Sequence, residues 1–93
     1  MSEYFTVEVE PTDDPNTREL ITNHMLAPGD EEIYRSREAG DEGSPLAQAL
    51  FHAVDGITAL RIVDESLFVT RDPAYTWEFV VDEIRDVLRD FFL

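Results

Sequence analysis

Cysteine is missing from all 93 positions, which removes disulfides and every metal site that relies on thiolate ligands. Lysine is missing as well. Seven basic residues, all arginine, stand against 21 aspartates and glutamates, for a formal net charge of −14. A field of that sign repels phosphate backbones and anionic lipid, so neither nucleic acid nor a membrane is an expected partner. No apolar run approaches the roughly 20 residues that span a bilayer. The residues after Met1, SEYFTVEVE, are acidic and alternating, the reverse of a basic and apolar leader. The expectation is a cytoplasmic protein. No glycine-rich phosphate loop, EF-hand spacing or Ser–His–Asp order is present, and no enzyme is expected.

What is present suffices for one domain over residues 1–93. Hydrophobic residues make up 43% of the chain, with six Phe, three Tyr and one Trp, too apolar a composition for disorder. The acidity has two readings. It steers the chain toward a basic partner, or it solvates the surface in a salty cytoplasm where ions screen self-repulsion; the second is the simpler.

Phe5, Val7 and Val9 alternate with polar residues, which predicts a strand ended by Pro11. Asp14–Pro15–Asn16–Thr17 reads as a turn, with Asn16 suited to positive φ. Arg18 to Thr22 reads as a second strand. Pro28–Gly29–Asp30 reads as a further turn, Ile33–Tyr34–Arg35 as a short edge strand, and Glu38 to Gly43 as a mobile acidic loop. Ser44–Pro45 opens a helix with a stripe of Leu46, Ala49, Leu50 and Ala53, widened by Ala47, Phe51 and Val54. Two strands then flank Asp64–Glu65, and an even loop sets Leu60 opposite Val69 and Ile62 opposite Leu67. Thr76 caps a last helix carrying Trp77, Val80, Val81, Ile84, Leu88 and Phe91 on one stripe. Asp82–Arg85 and Asp86–Arg89 read as exposed pairs on it. The sum is an α+β domain: an antiparallel sheet of four to five strands with two helices packed on one face.

Three sets of side chains admit a functional reading. The run EPTDDPNT, with Glu10, Pro11, Thr12, Pro15, Asn16 and Thr17, is either a stiffened connector or a preordered recognition loop. The open sheet face gathers Tyr4, Thr6, Arg61, Phe68 and Thr70 as a second candidate surface. His24, His52 and Asp55 supply a metal site only if they converge, because His–carboxylate sites need three or four ligands; otherwise both histidines are exposed. The carboxylate groups around Asp13, Asp30 and Asp41 read as solvated loops. At the end of the chain, Phe91 continues the helix stripe, and Phe92 and Leu93 close the core or form an apolar patch.

The runs EPTDDPNT and SPLAQALF, in that order and followed by the amphipathic closing helix, resemble the amino-terminal domain of the Nfu/NifU-type iron–sulfur scaffold proteins. The resemblance covers roughly Val9 to Phe91. It implies a small α+β domain tied to iron–sulfur cluster assembly, and at family level an association with iron. In that family a separate carboxy-terminal domain holds the cluster through a Cys-x-x-Cys pair. This chain has no cysteine, so the resemblance implies a stand-alone, noncatalytic module that binds a protein partner and needs no cofactor of its own. The rival expectation is a small iron-binding protein using His and carboxylate ligands. The sequence carries no signal for an oligomeric state.

Overall fold

A computed structural model describes residues 5–92. The alternation of Val7 and Val9 with glutamates forms β1 (Val7–Pro11), with both valines packed against the interior. It runs antiparallel to β2 (Thr17–Thr22), setting Val9 opposite the fully buried Leu20. The intervening turn closes as expected, Thr17 N–H donating to the Asp14 carbonyl at 3.0 Å. Asn16 does not use positive φ, however. Asp64 alone does so among the described non-glycine residues.

The middle third departs from the sequence expectation twice. Pro28–Gly29–Asp30 is not a turn but part of β3 (Ala27–Tyr34), whose register with its neighbour shifts between Ala27 and Glu32. An edge strand tolerates Pro and Gly because one of its sides has no ladder to maintain. Glu38 to Gly43, expected as a mobile loop, overlaps helix α1 (Arg37–Asp41). Ser36 caps it by accepting from Ala39 N–H at 3.1 Å. Gly40 is there for a close approach: a Cβ at this position would lie 2.0 Å from Cδ2 of Phe51.

Helix α2 (Pro45–Ala53) begins as its sequence requires, Ser44 Oγ accepting from Ala47 N–H at 3.3 Å. Its buried face holds Leu46, Ala47, Leu50 and Phe51, continued by Val54. The face is turned toward Ala47 and Phe51, which leaves Ala53 exposed rather than in the expected stripe. The carbonyls of its last turn and of the residues that follow are collected by one guanidinium. Arg37 donates to the carbonyl of Phe51, to those of Asp55 and Ile57 at 3.1 Å each, and to that of Val54 at 3.3 Å.

Strands β4 (Ile57–Asp64) and β5 (Ser66–Arg71) form the expected hairpin in the even register, Leu60 opposite Val69 and Ile62 opposite Leu67. Helix α3 (Trp77–Phe92) is capped by Thr76, whose Oγ1 accepts from Phe79 N–H at 3.2 Å. Trp77, Val80, Val81, Ile84 and Leu88 are buried. Phe91 is not part of that stripe: it is 44% exposed, and Phe92 packs inward instead, 5.9 Å from the ring of Phe5. Of the expected pairs, Asp86–Arg89 forms at 3.8 Å, whereas Arg85 donates to the Val7 carbonyl. Tyr4 and Leu93 lie outside the described residues.

The sheet order is β1-β2-β5-β4-β3, antiparallel throughout. Leu20, Leu60, Ile62, Leu67 and Val69 point to one face and share a core with Leu46, Leu50, Val80, Ile84 and Leu88 of the helices. The fold is therefore α+β with helices on a single face; among the described residues the short α1 joins the two expected helices. No helix of the described residues is long and apolar enough to cross a membrane.

Candidate interaction surface

The EPTDDPNT connection is held mainly by its own atoms. Thr12 Oγ1 donates to the Thr17 carbonyl at 2.7 Å, and Asp14 Oδ1 accepts from Asn16 N–H at 2.8 Å. Its far side is tied to the body of the protein. Trp77 Nε1 donates to the Pro15 carbonyl at 3.2 Å, and Arg71 N–H donates to that of Asn16 at 2.8 Å. The run thus orders both strands that it joins and fixes the start of α3. Thr17 leaves the connection toward the open face, where its hydroxyl lies 2.9 Å from that of Thr70.

Register carries the rest onto that face. Residues directly opposite one another in antiparallel strands share a side of the sheet. Glu10 faces Glu19, Glu19 faces Phe68, Phe68 faces Arg61, and Arg61 faces Ile33. One row across all five strands therefore reads Glu10–Glu19–Phe68–Arg61–Ile33. The Arg61 guanidinium lies 5.0 Å over the ring of Phe68 and is paired with Glu31. Beside the row a shallow depression of about 230 Å³ is lined by Thr17, Ile33, Arg61, Phe68 and Thr70 among others. Ile33, 49% exposed, supplies its apolar rim.

Of the residues singled out from the sequence, Glu10, Thr17, Arg61 and Phe68 share this face. Pro11, Thr12, Pro15 and Asn16 belong to the connection at its end. Thr6 is not in the cluster: it precedes β1, at the end away from the connection, its N–H donating to Asn23 Oδ1 at 3.0 Å. Ile33, Arg35 and Ala59 also line the depression and were not foreseen. The edge strand containing Ile33 was legible, but its outward face was not, because the register shift beside Glu32 hides the period.

The histidines are differently placed. His52 is exposed on α2, as expected. His24 is not an exposed loop residue: its ring stacks 4.8 Å from Phe5 and lies 5.3 Å from Phe92, with Nδ1 3.1 Å from Asn23 Oδ1. Among the described residues no three His, Asp or Glu side chains are grouped to hold a metal ion. His24, His52 and Asp55 are thus not brought together as ligands. With no thiolate in the chain, the donor set does not fit an iron–sulfur cluster.

Residues 7–93 match the family described as scaffold protein Nfu/NifU N terminal. The uncharacterized protein YpgR of Bacillus subtilis (strain 168) is 32% identical over 77 residues, which are 83% of this chain and 20% of that protein. The chain thus spans about a fifth of the length of that relative. The solution structure of the NifU-like protein from Saccharomyces cerevisiae is similar, with a TM-score of 0.76 at 21% identity over 97% of this chain and 82% of that one. The crystal structure of protein SAV1430 from Staphylococcus aureus gives 0.70 at 14% identity, over 88% of this chain and 96% of that one. At these identities the two solved structures speak for the fold.

Proposed function

The chain belongs to the scaffold protein Nfu/NifU amino-terminal family, and on that premise we propose that it is a noncatalytic protein-interaction module of iron–sulfur cluster assembly, one that holds no cluster itself. The observation that carries this reading is membership of a scaffold family by a chain with no cysteine. A thiolate-held cluster has no donor here, so what the domain contributes is contact with another protein. The open sheet face is the assigned surface. It combines a half-buried aromatic, an arginine stacked on it and an exposed isoleucine, and aromatic and arginine side chains are the ones enriched at such contacts. The EPTDDPNT connection supports that face by fixing Glu10 and Thr17 at its end. Affinity capture from extract of its own cells, with the purified chain as bait, tests the role. Recovery of a cluster-assembly or iron–sulfur protein is expected; recovery of neither class refutes the reading.

A further inference from the structure

Strand β1 carries a second surface, independent of the open face. In an antiparallel ladder, successive residues turn their N–H and C=O toward one neighbour and then away from it. Thr22 donates its N–H to the Glu65 carbonyl at 2.9 Å, on the side of β5. Val7, directly opposite Thr22, therefore turns its own backbone groups outward, and Val9 follows in the same phase. Since β1 is the last strand on its side of the sheet, these groups face no strand among the described residues. The Val7 carbonyl meets Arg85, whose Nη2 donates to it at 3.5 Å.

Beside this edge runs a groove of about 390 Å³ between β1 and α3, floored by Val9, Trp77 and Val81 and flanked by Arg18 and Arg85. Arg85 and Arg89 extend it past Phe5 and Val7. The acidic groups here are Glu78 and Asp82 on the groove and Asp86 against Arg89. Three of the chain's seven arginines thus gather on the groove side of β1, whereas its other side presents Glu8 and Glu10.

We propose that this edge binds an extended peptide segment of another protein as an added strand. Its backbone pairs with Val7 and Val9. Alternate side chains enter the groove, apolar ones over Val9 and Trp77 and carboxylates against Arg85 and Arg89. The intervening side chains are basic and meet Glu8 and Glu10. Such additions draw affinity from main-chain bonds and selectivity from every second side chain. A second copy of the chain is a poor occupant, because β1 against β1 sets Glu8 and Glu10 near their own kind between two molecules of charge −14.

The probe is a blocked octapeptide with lysine or threonine at odd positions and leucine or aspartate at even ones. Trp77, the single tryptophan, reports on the groove by fluorescence, and backbone amide shifts map the contact. Two further peptides carry N-methyl groups on alternate amides, one in each phase. The expected result is a shift at Val7, Val9 and Trp77, with affinity reduced about tenfold or more by methylation in one phase and little changed in the other. Val9→Pro, which removes an outward donor, repeats that loss from the protein side. Should that variant fail to fold, the methylated pair still decides. Absence of binding, equal loss in both phases, or shifts confined to Phe68 and Arg61 overturns the proposal. So does self-association of the free chain through β1 in sedimentation. The assembly role stands or falls at the open face, so the two readings fail separately.

Discussion

At the residue scale, the positions that hold the middle of the chain in place are ones whose role depends on distant partners. Arg37 looks from its neighbours like a charge in a polar stretch. In the structure it satisfies the carbonyls at the end of α2, and its guanidinium also lies 5.6 Å from the ring of Phe51. Hydrogen bonds from a charged donor are each worth about 1.5–3 kcal/mol net, and the half-buried setting screens part of that. Arg37→Ala is expected to lower unfolding stability by about 2 kcal/mol, with Arg37→Lys recovering only part, because an ammonium cannot span several carbonyls as a planar fork does. Urea denaturation followed by circular dichroism measures both; an unchanged midpoint for Arg37→Ala removes the capping role. His24 teaches the same lesson. A histidine between Asn and Met carries no sign of its stacking on Phe5 and Phe92, since those rings come from the two ends of the chain.

At the scale of elements, what was legible follows from period and punctuation. The β4–β5 register could be derived because a one-residue slip would bury Arg61 and expose Leu60. The caps at Ser44 and Thr76 were equally plain. Helix α1 was not legible: it is five residues long, contains Gly40, and is held by contacts with α2 rather than by local propensity. Of β3 only the end around Ile33 was legible, because Pro28–Gly29–Asp30 in its first half mimics a turn. On the candidate surface, Arg61, Phe68 and Thr70 follow from the hairpin register, whereas the full row from Glu10 to Ile33 exists only once the strand order is known. The hairpin tip gives a test at this scale. Asp64 sits at φ 52, a region that glycine and asparagine enter with least strain and β-branched residues resist. Asp64→Val should cost about 1–2 kcal/mol, while Asp64→Asn should leave thermal stability within about 0.5 kcal/mol of the parent. Equal melting temperatures for the valine and asparagine variants contradict the assigned geometry.

At the scale of the whole molecule, charge and partner choice come together. Few bridges offset the charge of −14: among the described residues the ion pairs are Arg61–Glu31 and Arg89–Asp86. Self-repulsion is therefore expected to weaken the folded state and to be relieved by screening. The melting temperature should rise steadily between about 0.05 and 1 M NaCl, over which the Debye length falls to about 3 Å; a salt-independent transition removes that term. Isothermal titration with Fe²⁺ in oxygen-free buffer should show no saturable heat, and a stoichiometric site lost in His24→Ala or His52→Ala would restore the iron-binding alternative. The central claim is that this domain acts through its open sheet face on another protein. It is tested most directly by parallel affinity capture with the parent chain and Phe68→Glu, both confirmed as folded by thermal melting. The account predicts an iron–sulfur assembly or target protein enriched on the parent and lost at least about tenfold on the variant, the effect of a disrupted central contact. Equal capture by both, or no such protein on either, contradicts it.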